Sequence, residues 1–142
     1  MGGLVVCAYS DVGFKCLEWL FDQRESVRLV FTHPDVPGEE RWFGSVADLA
    51  RKHGIEPHVV DGLDDAADEE RIRALAPDFL FSFYFKKMIP ERVLAHARLG
   101  ALNMHGSVLP AFRGRSPVNW AILKGATETL SLIHISEPTR PY

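Results

Sequence analysis

The sequence predicts an α/β fold with an open, Rossmann-like, mostly parallel sheet that is covered by helices on both faces. Short apolar runs rich in β-branched and aromatic residues recur along the chain, as buried parallel strands require. Between them lie segments whose apolar residues repeat at helical spacing. Strands that alternate with helices form βαβ units, and sheets of this kind bind ligands beyond the carboxyl ends of their strands.

The first half of the chain begins with a strand predicted at residues 4–9, a run without a charged side chain. Asp11 can cap the helix that follows, because apolar residues recur at helical spacing from there up to residue 22. A second strand is predicted at residues 27–32. The loop at residues 33–40 contains two prolines and a glycine, which end that strand.

The remaining elements continue the alternation. Ser45 is a typical N-cap and Gly54 a typical C-terminal stop, so the second helix lies between them. Later strands are recognised by short apolar runs, and later helices by the spacing of their apolar residues. We predict strands at residues 57–60, 79–84 and 100–104, and helices at residues 69–75, 89–97 and 117–124.

The composition excludes several classes of protein. Of 142 residues, 46% are apolar and 25% charged, which is typical of a globular domain. The net charge is −3 and no basic run occurs, so a large nucleic-acid interface is not expected. No apolar stretch approaches the roughly 18 residues of a membrane span. Cys7 and Cys16 fit neither a disulfide framework nor a metal site. We therefore expect a cytoplasmic protein without a metal.

A polar pair, Asn103 and His105, comes where the fifth predicted strand ends. The two residues are two positions apart, so on an extended backbone their side chains point the same way. A neutral imidazole can take up or release a proton near pH 7. A neighbouring amide can donate to a developing oxyanion. The pair therefore suits acyl transfer to an amine, in which a tetrahedral intermediate forms and the amine loses a proton.

This pair begins a longer run, Asn-x-His-x-Ser-x-Leu-Pro-x-aromatic-Arg-Gly, at residues 103–114. The run resembles the signature of the 10-formyltetrahydrofolate-dependent formyltransferases, and the resemblance extends over residues 5–129. It is closest to the branch whose acceptor is a UDP-linked amino sugar, UDP-4-amino-4-deoxy-L-arabinose, an activity of lipid A modification. The segments that favour this branch are residues 31–39, 43–47, 81–84 and 113–120.

The resemblance implies roles for named residues. His105 is expected to be the catalytic proton-transfer residue, and Asn103 to stabilise the transition state. Lys87, Met88 and Ile89 correspond to a loop that contacts the folate co-substrate. Arg115 corresponds to a second folate contact, which suits an arginine because folates carry anionic groups. The expected co-substrate is 10-formyltetrahydrofolate, the expected partner is a small nucleotide sugar, and no metal is implied.

The family pattern breaks after Thr129. In the family a strand and a loop follow, and an aspartate from that loop completes a catalytic trio. Pro141 stands at the corresponding position here, and no aspartate follows Asp78. Residues 130–142 resemble translated read-through of a sequencing adapter. We therefore expect an incomplete N-terminal part of a catalytic domain at residues 1–129 and a non-native tail that pairs as a strand over about residues 131–135. Such a chain is expected to show little or no formyl transfer.

Two alternatives to an amino-sugar formyltransferase stay open. Methionyl-tRNA formyltransferases share the chemistry, but they usually carry Gly-Ala-Ala-Pro where residues 114–117 read Gly-Arg-Ser-Pro. They also tend to have a basic insertion in place of residues 35–40, which here are short and acidic. The second alternative is a fragment that binds a folate or a nucleotide without catalysis. Formylation of an amine, at any measurable rate, would distinguish the two formyltransferases from such a fragment.

Overall fold

The computed structural model describes residues 2–36, 44–107, 109–114, 116–128 and the backbone of 132–136. In this part of the chain, six strands form one sheet and five helices connect them. The strands are β1 (Leu4–Ala8), β2 (Val27–Thr32), β3 (His58–Val59), β4 (Phe79–Phe83), β5 (Gly100–His105) and β6 (Leu132–Ser136). The helices are α1 (Ser10–Asp22), α2 (Val46–Lys52), α3 (Ala66–Leu75), α4 (Glu91–Leu94) and α5 (Pro117–Leu123).

The strand order in the sheet is β3-β2-β1-β4-β5-β6. β1 pairs in parallel with both β2 and β4, so the order of the strands reverses at β1. β2 and β3 are parallel, as are β4 and β5, whereas β6 is antiparallel to β5. The predicted Rossmann-like α/β fold is confirmed. In such sheets the crevice at the reversal point, beyond the carboxyl ends of the strands, is the usual ligand site.

Two apolar cores lie on opposite faces of the sheet. Successive side chains of β1 alternate between them, so Val6 and Ala8 enter the first core while Val5 and Cys7 enter the second. The first core contains buried residues of α1 and α2, such as Leu17. The second contains buried residues of α3 and α4. All five residues of β1 are buried, which explains why its sequence is continuously apolar.

The helix boundaries differ from the predictions in three places. Tyr9, not Asp11, is the N-cap of α1, and Asp11 lies in the first turn. α3 begins three residues earlier than predicted, because the carboxylate of Asp65 accepts a hydrogen bond from the amide of Ala67 at 2.7 Å. α4 is only four residues long and starts after its N-cap, Pro90. The predicted N-cap of α2 is confirmed: Ser45 Oγ accepts from the amide of Asp48.

The predicted strand in the tail is present as β6, displaced by one residue from the expected range. Its backbone pairs with β5, from Ser136 opposite Ala101 to Leu132 opposite His105. Residue 131, at the start of the expected strand, and residues 137–142 lie outside the described residues. The non-native origin of the tail stays a prediction.

The cysteines do not form a disulfide in the described residues. Cys7 is fully buried in β1, and burial raises the pKa of its thiol. The described residues contain no group of three His, Cys, Asp or Glu side chains placed to bind a metal ion. Among the same residues, no helix has the length and apolar character needed to cross a membrane.

Candidate functional site

The predicted catalytic pair lies at the carboxyl end of β5, which has a neighbouring strand on each side. His105 is the last residue of β5, and Asn103 lies opposite Ser82 in β4. Both side chains are half-buried. Ala101 has the same parity along the strand and belongs to the second core. Asn103 and His105 therefore continue the second face of the sheet beyond the core, toward the strand ends.

The loop after β4 lies on this same face. Phe85 and Ile89 pack against the second core, so the segment between them passes over the carboxyl end of the sheet. Lys87 is exposed and forms an ion pair with Asp61 at 3.7 Å. Met88 is 81% exposed, and Ile89 is half-buried. Three of the four predicted folate contacts thus occupy one loop. The fourth, Arg115, lies outside the described residues.

His105 has a defined hydrogen-bonding partner. Its Nε2 lies 3.1 Å from the backbone carbonyl oxygen of Phe112. Because a carbonyl only accepts, Nε2 carries the hydrogen in this arrangement and Nδ1 is the basic nitrogen. The loop that supplies this carbonyl is closed by Ser107, whose buried hydroxyl donates to the carbonyl of Ala111 at 2.7 Å. It also contains the cis peptide bond between Leu109 and Pro110.

The residues that directly follow β4 and β5 come into close contact. Tyr84 follows β4 with a φ of 57°, in the left-handed region that non-glycine residues rarely adopt. Its hydroxyl lies over Gly106, next to His105, and a Cβ at Gly106 would come within 2.5 Å of it. Any larger residue at this position would require the Tyr84 side chain or its surroundings to shift. Neither residue was given a role from the sequence alone.

His33, directly after β2, is a site residue that the sequence analysis did not identify. It is 5% exposed. Its Nδ1 lies 3.0 Å from the carbonyl oxygen of Val60, and its Nε2 accepts from the amide of Lys86 at 2.8 Å. Phe85 stacks on the ring with centroids 4.1 Å apart, and Tyr9 meets it edge-on at 5.5 Å. The signal for it in the sequence was the position of this histidine, directly after an apolar strand and before Pro34.

A cavity of about 210 Å³ opens beside His33. It lies outside the carboxyl ends of β2, β3 and β4. Its lining mixes apolar and charged groups and includes His33, Pro34, Val36, Asp61, Lys86 and Lys87. Lys87 is therefore shared between this cavity and the predicted folate loop, whereas Asn103 and His105 are not part of the cavity lining. The ammonium of Lys86 lies over the ring of Tyr9, 4.2 Å from its centroid.

The arrangement combines a histidine base, His105, and a neighbouring amide, Asn103, at the end of β5 with a loop after β4 that could carry a planar ligand. Burial lowers the pKa of His33, so this histidine is neutral over a wider pH range than usual. The geometry of the β5 end is compatible with proton transfer by His105 and with hydrogen bonding by Asn103 to a developing oxyanion.

Comparison with known protein families gives a match over most of the chain. Residues 20–137 match the family described as formyl transferase. The match covers most of the chain and includes the whole of β5 and the run that follows it.

Solved structures share the fold at low sequence identity. Phosphoribosylglycinamide formyltransferase from Bacillus halodurans superposes with a TM-score of 0.71 and 21% identity, over 94% of this chain and 72% of that chain. Glycinamide ribonucleotide transformylase 1 from Symbiobacterium toebii gives 0.67 and 18%, over 96% and 67%. A formyltetrahydrofolate deformylase from Pseudomonas syringae pv. tomato gives 0.66 and 17%, over 97% and 47%.

Proposed function

Because the chain belongs to the formyl transferase family, we propose that it transfers a formyl group from 10-formyltetrahydrofolate to the amine of UDP-4-amino-4-deoxy-L-arabinose. The family uses formyl-tetrahydrofolate as its co-substrate. The single observation that carries the site is the placement of Asn103 and His105 at the carboxyl end of β5, inside the matched region.

The proposed reaction assigns one role to each of these two residues. The amine nitrogen bonds to the formyl carbon, and the bond from that carbon to N10 of the folate breaks. Asn103 donates its side-chain amide to the formyl oxygen as that oxygen gains negative charge. His105 accepts the proton that the amine releases and passes it to the departing N10. The leaving group is therefore tetrahydrofolate. No nucleophilic side chain is needed, because the amine attacks directly.

The proposed acceptor rests on sequence features. The segments at residues 31–39 and 113–120 favour the amino-sugar branch. The net charge of −3 and the acidic loop at residues 35–40 argue against a transfer RNA, whose phosphates require clustered cations.

We also propose that residues 1–129 carry the native formyltransferase part and that residues 130–142 are non-native, although the family match continues to residue 137. The support is the absence of an aspartate after Asp78, since the family pattern places one beside the histidine. Loss of a positioned acid–base partner costs on the order of 10² to 10⁴ in rate. Turnover by this chain is therefore expected to be very slow, and activity should be measured with enzyme in excess of substrate.

The acceptor can be tested by mass spectrometry of products. In separate reactions, the chain, in excess, is incubated with 10-formyltetrahydrofolate and one acceptor. The three acceptors are UDP-4-amino-4-deoxy-L-arabinose, glycinamide ribonucleotide and methionyl-tRNA. We expect one added formyl group on the UDP sugar. Formylation of either other acceptor instead would overturn the proposed substrate. Release of formate without a formylated amine would indicate a deformylase and overturn the proposed transfer.

The catalytic assignment is tested by His105→Gln. We expect the remaining single-turnover rate to fall by roughly 10² or more, because the proton acceptor is lost. Binding of 5-formyltetrahydrofolate, a stable isomer of the co-substrate, should not change. His53→Gln is the matched control, since His53 is exposed at the end of α2 and stacks only on Phe21 among the rings described. Equal rates in His105→Gln and the parent chain would remove His105 from the mechanism.

A further inference from the structure

His33 connects the ends of four strands, although it has no place in the proposed reaction. It follows β2, it lies against the carbonyl of Val60 after β3, and it contacts Tyr9 at the end of β1. Through its Nε2 it accepts the amide of Lys86 in the loop after β4. That loop continues directly into residues 87–89.

The two partners define the state of the ring. The carbonyl of Val60 only accepts, so Nδ1 must carry a hydrogen. The amide of Lys86 only donates, so Nε2 must present a lone pair. Only the neutral Nδ1–H tautomer satisfies both contacts, at 3.0 and 2.8 Å. A proton added to Nε2 would point at the amide hydrogen of Lys86, and the two groups would have to separate.

We infer that His33 is a positioning residue for the folate-contacting loop: its neutral ring fixes the backbone of Lys86, and its protonation releases the segment at residues 87–89. This inference rests on the proposed function, which assigns that segment to the folate. His33 touches neither the reacting atoms nor Asn103 and His105 in the contacts described.

Burial is the largest influence on the pKa of His33 and favours the neutral ring, whereas the hydrogen bond to the carbonyl of Val60 favours the charged form. Lys86 and Lys87 come from the loop after β4, and both oppose a positive charge on the imidazole. Asp61, after β3, favours that charge but is itself paired with Lys87. From the end of β1, Tyr9 contributes a ring edge. Burial acts in the same direction as the two lysines, since it disfavours the charged form.

The first arm of the test concerns the loop and needs no ligand. Nitrogen-15 NMR of the parent chain should show His33 as the Nδ1–H tautomer at neutral pH. As the pH is lowered, the amide resonance of Lys86 should shift together with the His33 ring, and its hydrogen exchange should accelerate beyond the normal pH trend. A Lys86 amide that does not follow the ring overturns the inference.

The second arm measures binding of 5-formyltetrahydrofolate as a function of pH. His33→Gln supplies an amide donor and acceptor that cannot titrate, whereas His33→Ala removes both contacts. We expect affinity in the parent chain to fall by roughly 5- to 30-fold as His33 takes up a proton, the equivalent of one lost hydrogen bond. His33→Gln should bind with a flatter pH profile, and His33→Ala should bind weakly throughout.

Controls separate failure of this inference from failure of the proposed function. Titration of the folate itself is common to all variants, and His53→Gln should behave like the parent chain. If the parent binds the folate but His33→Gln keeps the full pH dependence, the inference is wrong and the proposed function stands. If the parent binds no folate at any pH, the proposed function fails, and the NMR arm still decides whether His33 positions the loop.

Discussion

At the scale of single residues, Gly106 and the Tyr84 hydroxyl come into close contact beside His105. A Cβ at residue 106 would lie 2.5 Å from the Tyr84 hydroxyl and 3.3 Å from a methyl group of Val118. An alanine here therefore requires the Tyr84 side chain or the strand ends to shift.

We expect Gly106→Ala to lower the free energy of unfolding by about 1 to 3 kcal/mol, the usual cost of overpacking. The double variant Gly106→Ala, Tyr84→Phe should recover part of this loss because the hydroxyl is removed. Urea denaturation measures both.

Gly62→Ala is the matched control, since the nearest atom to a Cβ there is 3.4 Å away, an ordinary contact. Equal destabilisation by the two alanine substitutions would contradict the proposed close approach.

The sequence indicated some site residues and not others for a physical reason. Asn103 and His105 are two positions apart at a strand end, so their shared direction follows from local geometry alone. His33 depends on partners that are 27 and 53 residues away, Val60 and Lys86. Contacts of that range arise only once the strand order is known. Gly106 was not recognised for the same reason, because Tyr84 comes after another strand, 22 residues earlier in the chain.

At the scale of secondary-structure elements, the cap of α3 is a local feature with a measurable contribution. Asp65 accepts a hydrogen bond from the Ala67 amide at 2.7 Å and lies before a helix with a weakly apolar face. Asp65→Ala should lower the free energy of unfolding by about 1 kcal/mol, measured by urea denaturation. Asp64→Ala, one position earlier, is the control and should have little effect. A similar loss of stability in both variants would indicate an effect of negative charge in this region rather than of helix capping.

The edge position of β6 leads to a second prediction at this scale. Among the described residues β6 pairs only with β5, whereas β1 has a partner on each side. Amide hydrogen exchange of residues 132–136 should therefore be much faster than that of residues 5–8, because the edge strand opens locally without unfolding the sheet. Equal protection in the two strands would show that the tail is an integral part of the fold. The amides of β5 provide an internal reference.

The elements themselves were largely predictable, and their boundaries were less so. β2 matches its predicted range because charged and turn residues flank a run that is apolar except for Arg28 and Thr32. α3 was predicted too short, since its first turn carries Asp68 and Glu69 rather than apolar residues. The cap at Asp65, not periodicity, sets where this helix begins. α4 was predicted too long, because the residues after Leu94 lead directly back into β5.

At the scale of the whole molecule, acid should weaken the fold through groups that resist protonation when folded. Burial lowers the pKa of His33 below its ordinary value of 6.5, so the unfolded chain takes up this proton first. Hydrogen bonds from His96 and Arg92 lower the pKa of Glu69 below 4.5. Stability should therefore fall as the pH drops below about 6.5, and fall again as the carboxylate is protonated.

Urea denaturation at a series of pH values measures this dependence. In His33→Gln the first decrease should be smaller, because the unfolded chain no longer gains a proton at that position. An unchanged slope just below pH 6.5 in the variant would assign the decrease to other histidines.

The central position of β1 also constrains the order in which the chain can assemble during synthesis. The amide of Gly3, at the start of β1, donates to Asp78, 75 residues later, and β4 follows directly. A chain emerging from the ribosome can pair β1 with β2 early, but the other edge of this apolar strand stays open until β4 has been made. An open apolar edge is a site for unwanted pairing between chains. Chaperone capture of nascent chains should therefore be strongest before residue 79 emerges and should decline once β4 closes that edge.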